Sequence, residues 1–380
     1  MSSSSVIRLP VEPSPAPLRV LLAADADVSR RFGRMLRQFG LGLNDAGLTV
    51  QLVTDDRAAL AELEATPIEP VGCSGLHGWR SWRLASELDD ELESAPDLVH
   101  VWGARSFPGL ARWAARRGRP LLVHALSARD VQQLRGHRAR RGEYAAAGCG
   151  AFQAQLRASW PSERVTRVLP PALFITEDLT GTPARAPRGT LGILWDGRVD
   201  RESGLATLLE AVGQLRAQHR DVQLVLIGTG PAEHAFWRTI RGRGLSDCVS
   251  LIGDRRLWNS AIWGADVYVV PAPQTELSLG PLLAMALARI VIAARGQPAE
   301  WFIDNETAWL FAPRAANELA ALLARAADDA AASRALAARS AQYVRDHHAV
   351  SRLTVELTNV YAEIVAADRV ARSANAERRR

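Results

Sequence analysis

The sequence predicts an α/β protein with two doubly wound parallel sheets that face each other across a cleft. Short apolar runs alternate with segments whose apolar residues recur at helical spacing, which is the pattern of parallel βα units. A stretch rich in Thr, Pro, Gly and charge, 176–190, divides this alternation into two series of similar length. The chain has 380 residues, enough for two domains that each bury a core. Ligands of such proteins bind at the carboxyl ends of the strands.

The first series opens with an apolar run, Leu18–Ala23, followed by a helical pattern over Arg30–Ala46 and a second strand pattern at Leu48–Thr54. A strand, a helix and a strand in this order form a βαβ unit, which predicts a parallel sheet. The later elements of this half are the strands Leu98–Trp102, Pro120–His124 and Val165–Leu169 and the helices Pro108–Arg117 and Ala151–Ser159.

The second series repeats the same alternation and ends in helices. An Ala-rich region, Ala315–Val344, is helical by propensity, and Val350–Ala371 has apolar residues at helical offsets. The predicted strands are Leu191–Trp195, Val222–Ile227, Val249–Ile252, Val267–Val270 and Ile290–Ala293, and the helices between them are Leu205–Gln218, Ala232–Arg241, Leu257–Trp263 and Gly280–Ala288.

These patterns divide the chain into five parts. We expect a flexible Ser/Pro-rich tail (1–17), an N-terminal domain (18–175), a linker (176–190), a C-terminal domain (191–348) and a C-terminal helix with a frayed tail (349–380). The most apolar stretch, Leu279–Ala294, contains Arg289 and is shorter than the roughly 20 residues that a spanning helix needs. We therefore expect no membrane-spanning segment.

The composition excludes several kinds of chemistry. The chain has 46 basic and 41 acidic residues, a net charge of +5, and all its basic residues are arginine. The absence of lysine excludes a Schiff-base lysine, a Walker-A lysine and a kinase-type ATP lysine. Arginine and acid are mixed along the chain, so we do not expect specific nucleic-acid binding. The three scattered cysteines indicate neither a disulfide framework nor a zinc site and are typical of a cytoplasmic protein.

Two glycine-containing segments follow predicted strands and open helices. The first is Gly197–Gly204 (GRVDRESG). A phosphate could bind there to Arg198, to the backbone at the turn glycine and to the start of the next helix. The alternative is an ordinary loop with a surface arginine. The segment Ile227–Glu233 (IGTGPAE) contains Gly228 but has Glu233 where a dinucleotide fingerprint needs its third glycine. A tight βα turn beside the cleft is the favoured interpretation of the second segment.

The segment Pro271–Ala286 (PAPQTELSLGPLLAMA) is the most informative. It places Glu276 just beyond a buried strand, and Gly280 starts an apolar helix. A carboxylate in this position can accept hydrogen bonds from sugar hydroxyls, and the helix start attracts phosphate. The alternative is an exposed acid near a helix N-terminus, where the helix dipole favours it.

Taken in order, these motifs resemble family 4 retaining glycosyltransferases of the GT-B fold. The second half carries GR-x-x-x-E-x-G, IGTGP, the strand DVYVVP, E-x-x-x-x-P-L-L-x-M-A and G-Q-P-x-E-x-x-x-D-N-E-T-A-W-L. The first half resembles the family more loosely, in LRVLLA, GLNDAGLTVQLVT, PDLVHVWG and ERVTRVLPPAL. The resemblance implies two Rossmann-like domains, the N-terminal one for the acceptor and the C-terminal one for the nucleotide sugar, with the C-terminal helix packing back toward the N-terminal domain.

The resemblance also implies roles for individual residues. Arg198 matches the family arginine that holds the donor diphosphate, and Glu276 matches the glutamate that contacts the donor sugar. Gly228 and Gly280 fall in the segments near the diphosphate. A family histidine contacts the donor sugar, and we expect His100 or His124, in strands of the first half that lead to the cleft, to supply it. A buried structural histidine is the alternative.

The chain departs from the family at three places. Ser203 stands where the family has a phosphate-binding lysine, and Ala284 stands where it has a ribose-binding glutamate. Each lost contact is worth roughly 1.5–3 kcal/mol. We expect Arg201, in the same loop as Ser203, to replace the missing charge. The family's glycine-rich loop after the first strand is also replaced, by the bulkier Asp25–Arg31, which opposes close backbone approach to a phosphate.

We therefore expect a hexosyltransferase-type glycosyltransferase that retains anomeric configuration and uses neither a metal ion nor a cofactor. Its partners would be a nucleotide-diphosphate sugar and an acceptor that the sequence does not identify. The alternative is a GT-B protein that binds nucleotide sugars or serves as a scaffold without turnover, which the residues at 203 and 284 favour. No acid/base cluster supports a sugar-nucleotide epimerase.

The first half is locally basic, which in membrane-associated members of such families allows contact with anionic lipid on the cytoplasmic face. A solvated arginine-rich face is the alternative explanation. The arginines concerned are Arg112, Arg116, Arg117, Arg119, Arg129, Arg135, Arg138, Arg140 and Arg141.

Overall fold

The structure is a computed structural model that describes residues 17–76, 82–174, 189–253 and 258–378. Most of the expected tail (1–17) and linker (176–190) lies outside these ranges. The described residues form two parallel sheets, and helices cover the faces of each sheet.

The N-terminal sheet has seven parallel strands. They are β1 (Arg19–Ala24), β2 (Thr49–Thr54), β3 (Glu69–Gly72), β4 (Leu98–Trp102), β5 (Leu121–Ala125), β6 (Glu143–Ala147) and β7 (Val165–Val168). Their order across the sheet is β3-β2-β1-β4-β5-β6-β7. Strands β4 and β5 are buried along their whole length because helices cover both faces of the sheet.

The C-terminal sheet has six parallel strands in the order β10-β9-β8-β11-β12-β13 once they are numbered along the chain. They are β8 (Leu191–Asp196), β9 (Val222–Ile227), β10 (Val249–Ile252), β11 (Val267–Val270), β12 (Ile290–Ala294) and β13 (Trp309–Phe311). In both sheets the strand order reverses beside the first strand, between β1 and β4 and between β8 and β11. Ligands of doubly wound sheets bind at such switch points, so the loops after these four strands are where a ligand is expected.

The helices connect the strands and cover the sheets. Those of the N-terminal half are α1 (Ala26–Asp45), α2 (Arg57–Ala61), α3 (Leu84–Glu91), α4 (Phe107–Arg117), α5 (Ala128–Arg135) and α6 (Gly150–Arg157). Those that follow are α7 (Leu205–Ala217), α8 (Glu233–Gly242), α9 (Trp258–Gly264), α10 (Gly280–Ala286), α11 (Ala316–Asp328), α12 (Ala330–His347) and α13 (Val350–Arg378).

Helix α13 returns from the C-terminal half and packs on the N-terminal domain, as expected. It lies so close to α1 that a Cβ on Gly42 would come within 2.7 Å of the Thr354 hydroxyl oxygen. The side chain of Tyr361 on α13 reaches into the N-terminal core, where it is fully buried. The final helix is thus part of the N-terminal domain's packing.

Six elements were not predicted from the sequence: the strands β3, β6 and β13 and the helices α2, α3 and α5. Strand β3 contains proline and glycine, and β6 is largely alanine, so neither has strand propensity. Both are strands because they pair with a neighbouring strand in the parallel sheet.

Candidate active site

A cleft of about 990 Å³ opens between the two sheets. One wall includes α1, α2 and the loops after β4 and β5, and the other consists mainly of the loops after β8 and β11. Of the predicted site residues, the cleft is lined by Arg198, Ser203 and Glu276. The topology brings these three together because β8 and β11 are neighbours and parallel.

Glu276 lies where the two domains meet. Its backbone forms an antiparallel bridge with Ser127 of the N-terminal domain, and the Leu277 N–H donates to the Leu126 carbonyl at 2.9 Å. The Glu276 carboxylate points into the cleft, where its side chain is 53% exposed and accepts a hydrogen bond of 2.9 Å from Arg31. The residue predicted to contact the donor sugar is therefore placed at the cleft, but paired with an arginine that the sequence analysis did not identify.

The N-terminus of α1 is closed by carboxylates. Asp25 accepts hydrogen bonds from the backbone N–H groups of Asp27 and Val28, and Asp55 accepts one from Ala26 at 2.6 Å. These carboxylates satisfy the N–H groups that a glycine-rich loop would leave available to a phosphate. The geometry agrees with the expectation that the segment after β1 does not cradle a phosphate.

Arg198 is the most accessible cation on the C-terminal wall among the residues that the structure describes. Its backbone is fixed because the N–H groups of Gly197 and Val199 donate to the carbonyls of Ile227 and Thr229. Its side chain is 74% exposed, with an Asp200 carboxylate oxygen 3.7 Å from Nε. A rigid backbone and an exposed guanidinium, held only by one long ion pair with Asp200, are suited to bidentate binding of a phosphate.

The loop does not restore the charge lost at position 203. The Ser203 hydroxyl donates to the Asp200 carbonyl at 2.8 Å, so it stabilises the loop itself. Arg201 is exposed and is absent from the residues that line the cleft, so the structure does not support the expectation that it replaces the lysine. The loop ends at Gly204, whose left-handed conformation starts α7 without a side-chain cap.

Gly228 has a packing role. Its φ of +149° and its position against the Gly197 backbone leave no room for a side chain, because a Cβ would collide with the Gly197 carbonyl oxygen. Gly228 is not among the cleft-lining residues. It allows the loop after β9 to run against the Arg198 loop, which agrees with a tight βα turn, and its expected place near the diphosphate stays a prediction.

Gly280 and Ala284 are buried on α10, which has only seven residues. A Cβ on Gly280 would collide with the Tyr268 hydroxyl and with Asp196, and these two side chains are hydrogen bonded to each other. Ala284 is 0% exposed, so its side chain makes no contact with the cleft. Neither residue lines the cleft: Ala284 offers no polar group to a ribose, and the expectation that Gly280 lies near the diphosphate stays a prediction.

The expectation that His100 or His124 contacts the donor sugar is wrong for this structure. Both are 0% exposed, and they stack 5.5 Å apart beneath α13. His100 Nδ1 lies 2.6 Å from the Tyr361 hydroxyl, and His124 Nε2 donates to the Leu169 carbonyl at 3.0 Å. Burial lowers the pKa of His124 to about 3 and that of His100 well below its usual value. Both are neutral structural residues of the core.

Two further arginines in the cleft, Arg105 and Arg129, were not predicted as site residues. Arg105 follows β4 and Arg129 follows β5, and both are exposed on the N-terminal wall. The signal was present in the sequence, since each lies a few residues beyond a predicted strand. Arg129 was instead grouped with the basic face of the first half.

The described residues have neither a metal-binding cluster nor a membrane-spanning helix. They contain no group of three or more His, Cys, Asp or Glu side chains arranged to hold a metal ion. Within the same ranges, every helix is too short or too polar to cross a bilayer.

Comparison with known sequences gives two matches. Residues 190–329, from just before β8 to just after α11, match the family described as "Glycosyl transferases group 1". The chain is 26% identical over 221 residues to the alpha-D-kanosaminyltransferase of Streptomyces kanamyceticus. That alignment covers 55% of this chain and 56% of the relative, so the match spans about half the length of the curated relative.

Comparison with solved structures covers nearly the whole chain. Anabaena Alr3699/HepE in complex with UDP-glucose superposes with a TM-score of 0.72 at 16% identity, covering 91% of this chain and 100% of that one. Sucrose-phosphate synthase from Thermosynechococcus elongatus has a TM-score of 0.70 at 19% identity, covering 92% and 100%. These likenesses confirm the expected fold and, with the sequence matches, the resemblance to glycosyltransferases of that fold. The narrower assignment to family 4 stays a prediction.

Proposed function

We propose that this chain, which has the GT-B fold, is a glycosyltransferase that moves a sugar from a nucleotide-diphosphate sugar to an acceptor held on the N-terminal wall of the cleft. The observation that carries the proposal is the meeting of Arg198 and Glu276 at one switch point, in the part of the chain that matches group 1 glycosyl transferases. A cation for the diphosphate and a carboxylate for the sugar are the two groups that donor binding needs.

The chemistry proposed is transfer with retention of configuration. The bond between the anomeric carbon and the diphosphate oxygen breaks, the acceptor oxygen bonds to the same face, and the acceptor proton passes to the departing diphosphate. Arg198 and the uncapped start of α7 would stabilise the negative charge that grows on the leaving group. Glu276 would accept hydrogen bonds from sugar hydroxyls and fix the ring. Arginine supplies the positive charge, so the proposal involves no metal ion.

Exclusion of water is the other requirement, because a donor exposed to water is hydrolysed. The backbone bridge between Ser127 and Glu276 holds the two walls together at one edge of the cleft. A second cross-domain contact joins the N–H of Gly150, at the start of α6, to the Glu300 carboxylate. Closure of this kind supports transfer over hydrolysis.

The donor class rests on the relatives. The Anabaena protein was solved with UDP-glucose, and the Streptomyces relative is named for transfer of a sugar. At such identities neither the base nor the sugar can be carried over. We therefore propose a nucleotide-diphosphate sugar as a class.

A second candidate is a GT-B protein that binds a nucleotide sugar without turnover. Two observations favour it. The Ser203 hydroxyl is bonded to the Asp200 carbonyl, and Ala284 is fully buried, so two family contacts to the donor are missing. Binding and turnover therefore have to be measured separately.

The test is a thermal-shift screen against UDP, GDP, ADP and dTDP and the corresponding glucose nucleotides, followed by donor hydrolysis for each hit. We expect stabilisation by one nucleotide series, loss of that shift in Arg198→Ala, and slow hydrolysis of the donor. Arg238→Ala, an exposed arginine of α8 outside the cleft, is the matched control. Binding without hydrolysis or transfer favours the second candidate, and no binding contradicts both.

Two further expectations concern where the protein works. The three cysteines are free and buried, and we propose a cytoplasmic location. Arg112 and Arg116 are exposed on α4, and we propose that they allow peripheral contact with anionic lipid. Cosedimentation with phosphatidylglycerol vesicles, compared with phosphatidylcholine vesicles, tests this, and equal binding to both would contradict it.

A further inference from the structure

The two walls of the cleft carry different charge. Among the described residues that line the C-terminal wall, Arg198 is accompanied by four carboxylates, those of Asp196, Asp200, Glu202 and Glu276. A nucleoside diphosphate carries about two negative charges at its phosphates. One arginine surrounded by acids does not neutralise them, and the lysine that would help is replaced by Ser203.

The N-terminal wall carries two arginines that pair with no other side chain among the described residues. Arg105 and Arg129 line the cleft, are exposed, and have no hydrogen-bond or ion-pair partner within the described part of the chain. Arg105 directly precedes the N-cap of α4, and Arg129 lies in the first turn of α5. A cation at a helix N-terminus is opposed by the helix dipole, but an anion there is attracted by both the dipole and the arginine.

A buried carboxylate ties together the two loops that carry these arginines. Asp130 is 8% exposed and accepts hydrogen bonds from the backbone N–H groups of Ala104, at 2.7 Å, and Leu126, at 3.0 Å. These bonds tie the loop after β4 to the loop after β5, and the two strands are neighbours in the sheet. Asp130 thereby fixes the two segments that carry Arg105 and Arg129.

The Arg129 segment is also tied to the opposite wall. Ser127, two residues before Arg129, pairs with Glu276, and the Ala128 N–H donates to the Thr275 carbonyl at 2.7 Å. The segment that carries Arg129 therefore lies next to Glu276, the residue proposed to bind the donor sugar, and both arginines line the same cleft.

We propose that Arg105 and Arg129 form a second phosphate-binding pair that, with Arg198, holds the diphosphate of the donor. The pair supplies from the N-terminal domain the positive charge that Ser203 lacks in the C-terminal domain. This inference rests on the proposed function. Because the pair and Arg198 are on opposite walls, the complete diphosphate site exists only when the walls are together, so donor binding favours the closed cleft.

The experiment is isothermal titration of the wild type, of Arg105→Gln/Arg129→Gln and of Arg238→Gln/Arg334→Gln. The last variant removes the same charge from exposed positions outside the cleft. The probes are UDP, GDP, ADP and dTDP, each compared with its nucleoside. We expect the cleft variant to bind the preferred diphosphate at least about tenfold more weakly, with unchanged nucleoside affinity and an unchanged thermal midpoint. The single variants Arg105→Gln and Arg129→Gln give the same readout if the double variant is unstable.

The outcomes separate the two proposals. If the wild type binds a diphosphate and the cleft variant binds it equally well, the arginine pair is refuted and the proposed function stands. Equal loss of diphosphate and nucleoside, or equal loss in the charge-matched control, also overturns the pair. If the wild type binds no nucleoside diphosphate, the proposed function fails and the pair fails with it.

Discussion

Arg31 and Glu276 form an ion pair across the cleft, with Nη1 of the arginine 2.9 Å from Oε2 of the glutamate. The two residues are 245 positions apart in the sequence and belong to different domains. Arg31 also lies 3.1 Å from Asp27, so it keeps a carboxylate partner if Glu276 turns toward a sugar. The pair can therefore exchange one partner for a donor without leaving an arginine unpaired.

Breaking this ion pair should raise the affinity for the donor and lower the stability of the fold only slightly. The Glu276 side chain is half exposed, and exposed pairs contribute about 0.2–1 kcal/mol, so Arg31→Gln should lower the free energy of unfolding by less than about 1 kcal/mol. Because the carboxylate is released, affinity for the donor should rise by up to about fivefold. Urea unfolding measures the free energy of unfolding, and titration with the nucleotide sugar measures donor affinity. Asp27→Asn, which leaves the cross-cleft pair intact, should show no gain, and a tenfold loss in Arg31→Gln would mean that Arg31 itself holds the donor.

Arg198 and Arg201 should behave differently although they lie three residues apart. Arg198 lines the cleft and Arg201 does not. A charge-assisted hydrogen bond contributes roughly 1.5–3 kcal/mol, so Arg198→Ala should weaken binding of the nucleoside diphosphate by at least about tenfold. Arg201→Ala should leave the dissociation constant unchanged. A comparable loss in the Arg201 variant would restore the expectation that it replaces the family lysine.

Gly228 should tolerate no side chain, in contrast to a glycine on a nearby helix. A Cβ at Gly228 collides with the Gly197 carbonyl oxygen, whereas nothing lies within 4 Å of a Cβ at Gly213 in α7. We expect Gly228→Ala to destabilise the protein by about 2 kcal/mol or more and to weaken diphosphate binding, because the Arg198 loop is displaced. Gly213→Ala should stabilise it by about 0.5–1 kcal/mol. Thermal and urea unfolding measure the stability of both variants. If Gly228→Ala is as stable as the wild type, the two loops are not in contact.

The buried histidines should make the fold sensitive to acid. Burial lowers the pKa of His124 to about 3, that of His348 to about 4 and that of His100 well below its usual value. In the unfolded chain each histidine binds a proton with a pKa near 6.5. The contribution of the neutral buried histidines to stability is therefore fully present above pH 6.5 and is lost as the pH falls below it. Each fully buried histidine should cost about 2 kcal/mol between pH 6.5 and 5.

Urea unfolding at pH 7 and at pH 5 measures this loss. His124→Gln keeps an N–H donor for the Leu169 carbonyl and cannot be protonated, so its stability should fall less steeply. The same slope in wild type and variant would mean that His124 is not buried and neutral.

The fold was predictable from the sequence where a strand is a short apolar run in the regular alternation of strands and helices. The strands β4, β9, β10 and β11 occur at their predicted bounds, because each is a short apolar run. Once these strands were predicted, the polar residues that follow β8 and β11 could be placed in the cleft, because the carboxyl ends of parallel strands lie at the same edge of a sheet. Strand β6 was missed because its alanines favour a helix over a strand, and it is a strand because it pairs with β5 and β7.

The site was less predictable where side-chain direction or distant pairing decided. His100 lies in the middle of a strand that is buried on both faces, so the alternation of faces leaves no pattern in the sequence. Its side chain faces α13, and only the packed structure shows this. The pairing of Arg31 with Glu276 and the tie of Asp130 to two loops are likewise products of the topology.

A lysine at position 203 should strengthen the proposed diphosphate site directly. Ser203 lines the cleft in the loop that carries Arg198, and its hydroxyl makes one hydrogen bond, to the Asp200 carbonyl. Ser203→Lys gives up that bond, at a cost of about 0.5–1.5 kcal/mol of stability, and adds a charge worth roughly 1.5–3 kcal/mol to a bound phosphate. We expect diphosphate affinity to rise about tenfold or more. Ser203→Met, of similar length without charge, should show no gain, and a lysine variant that binds no better than the methionine variant would mean that the diphosphate does not approach this loop.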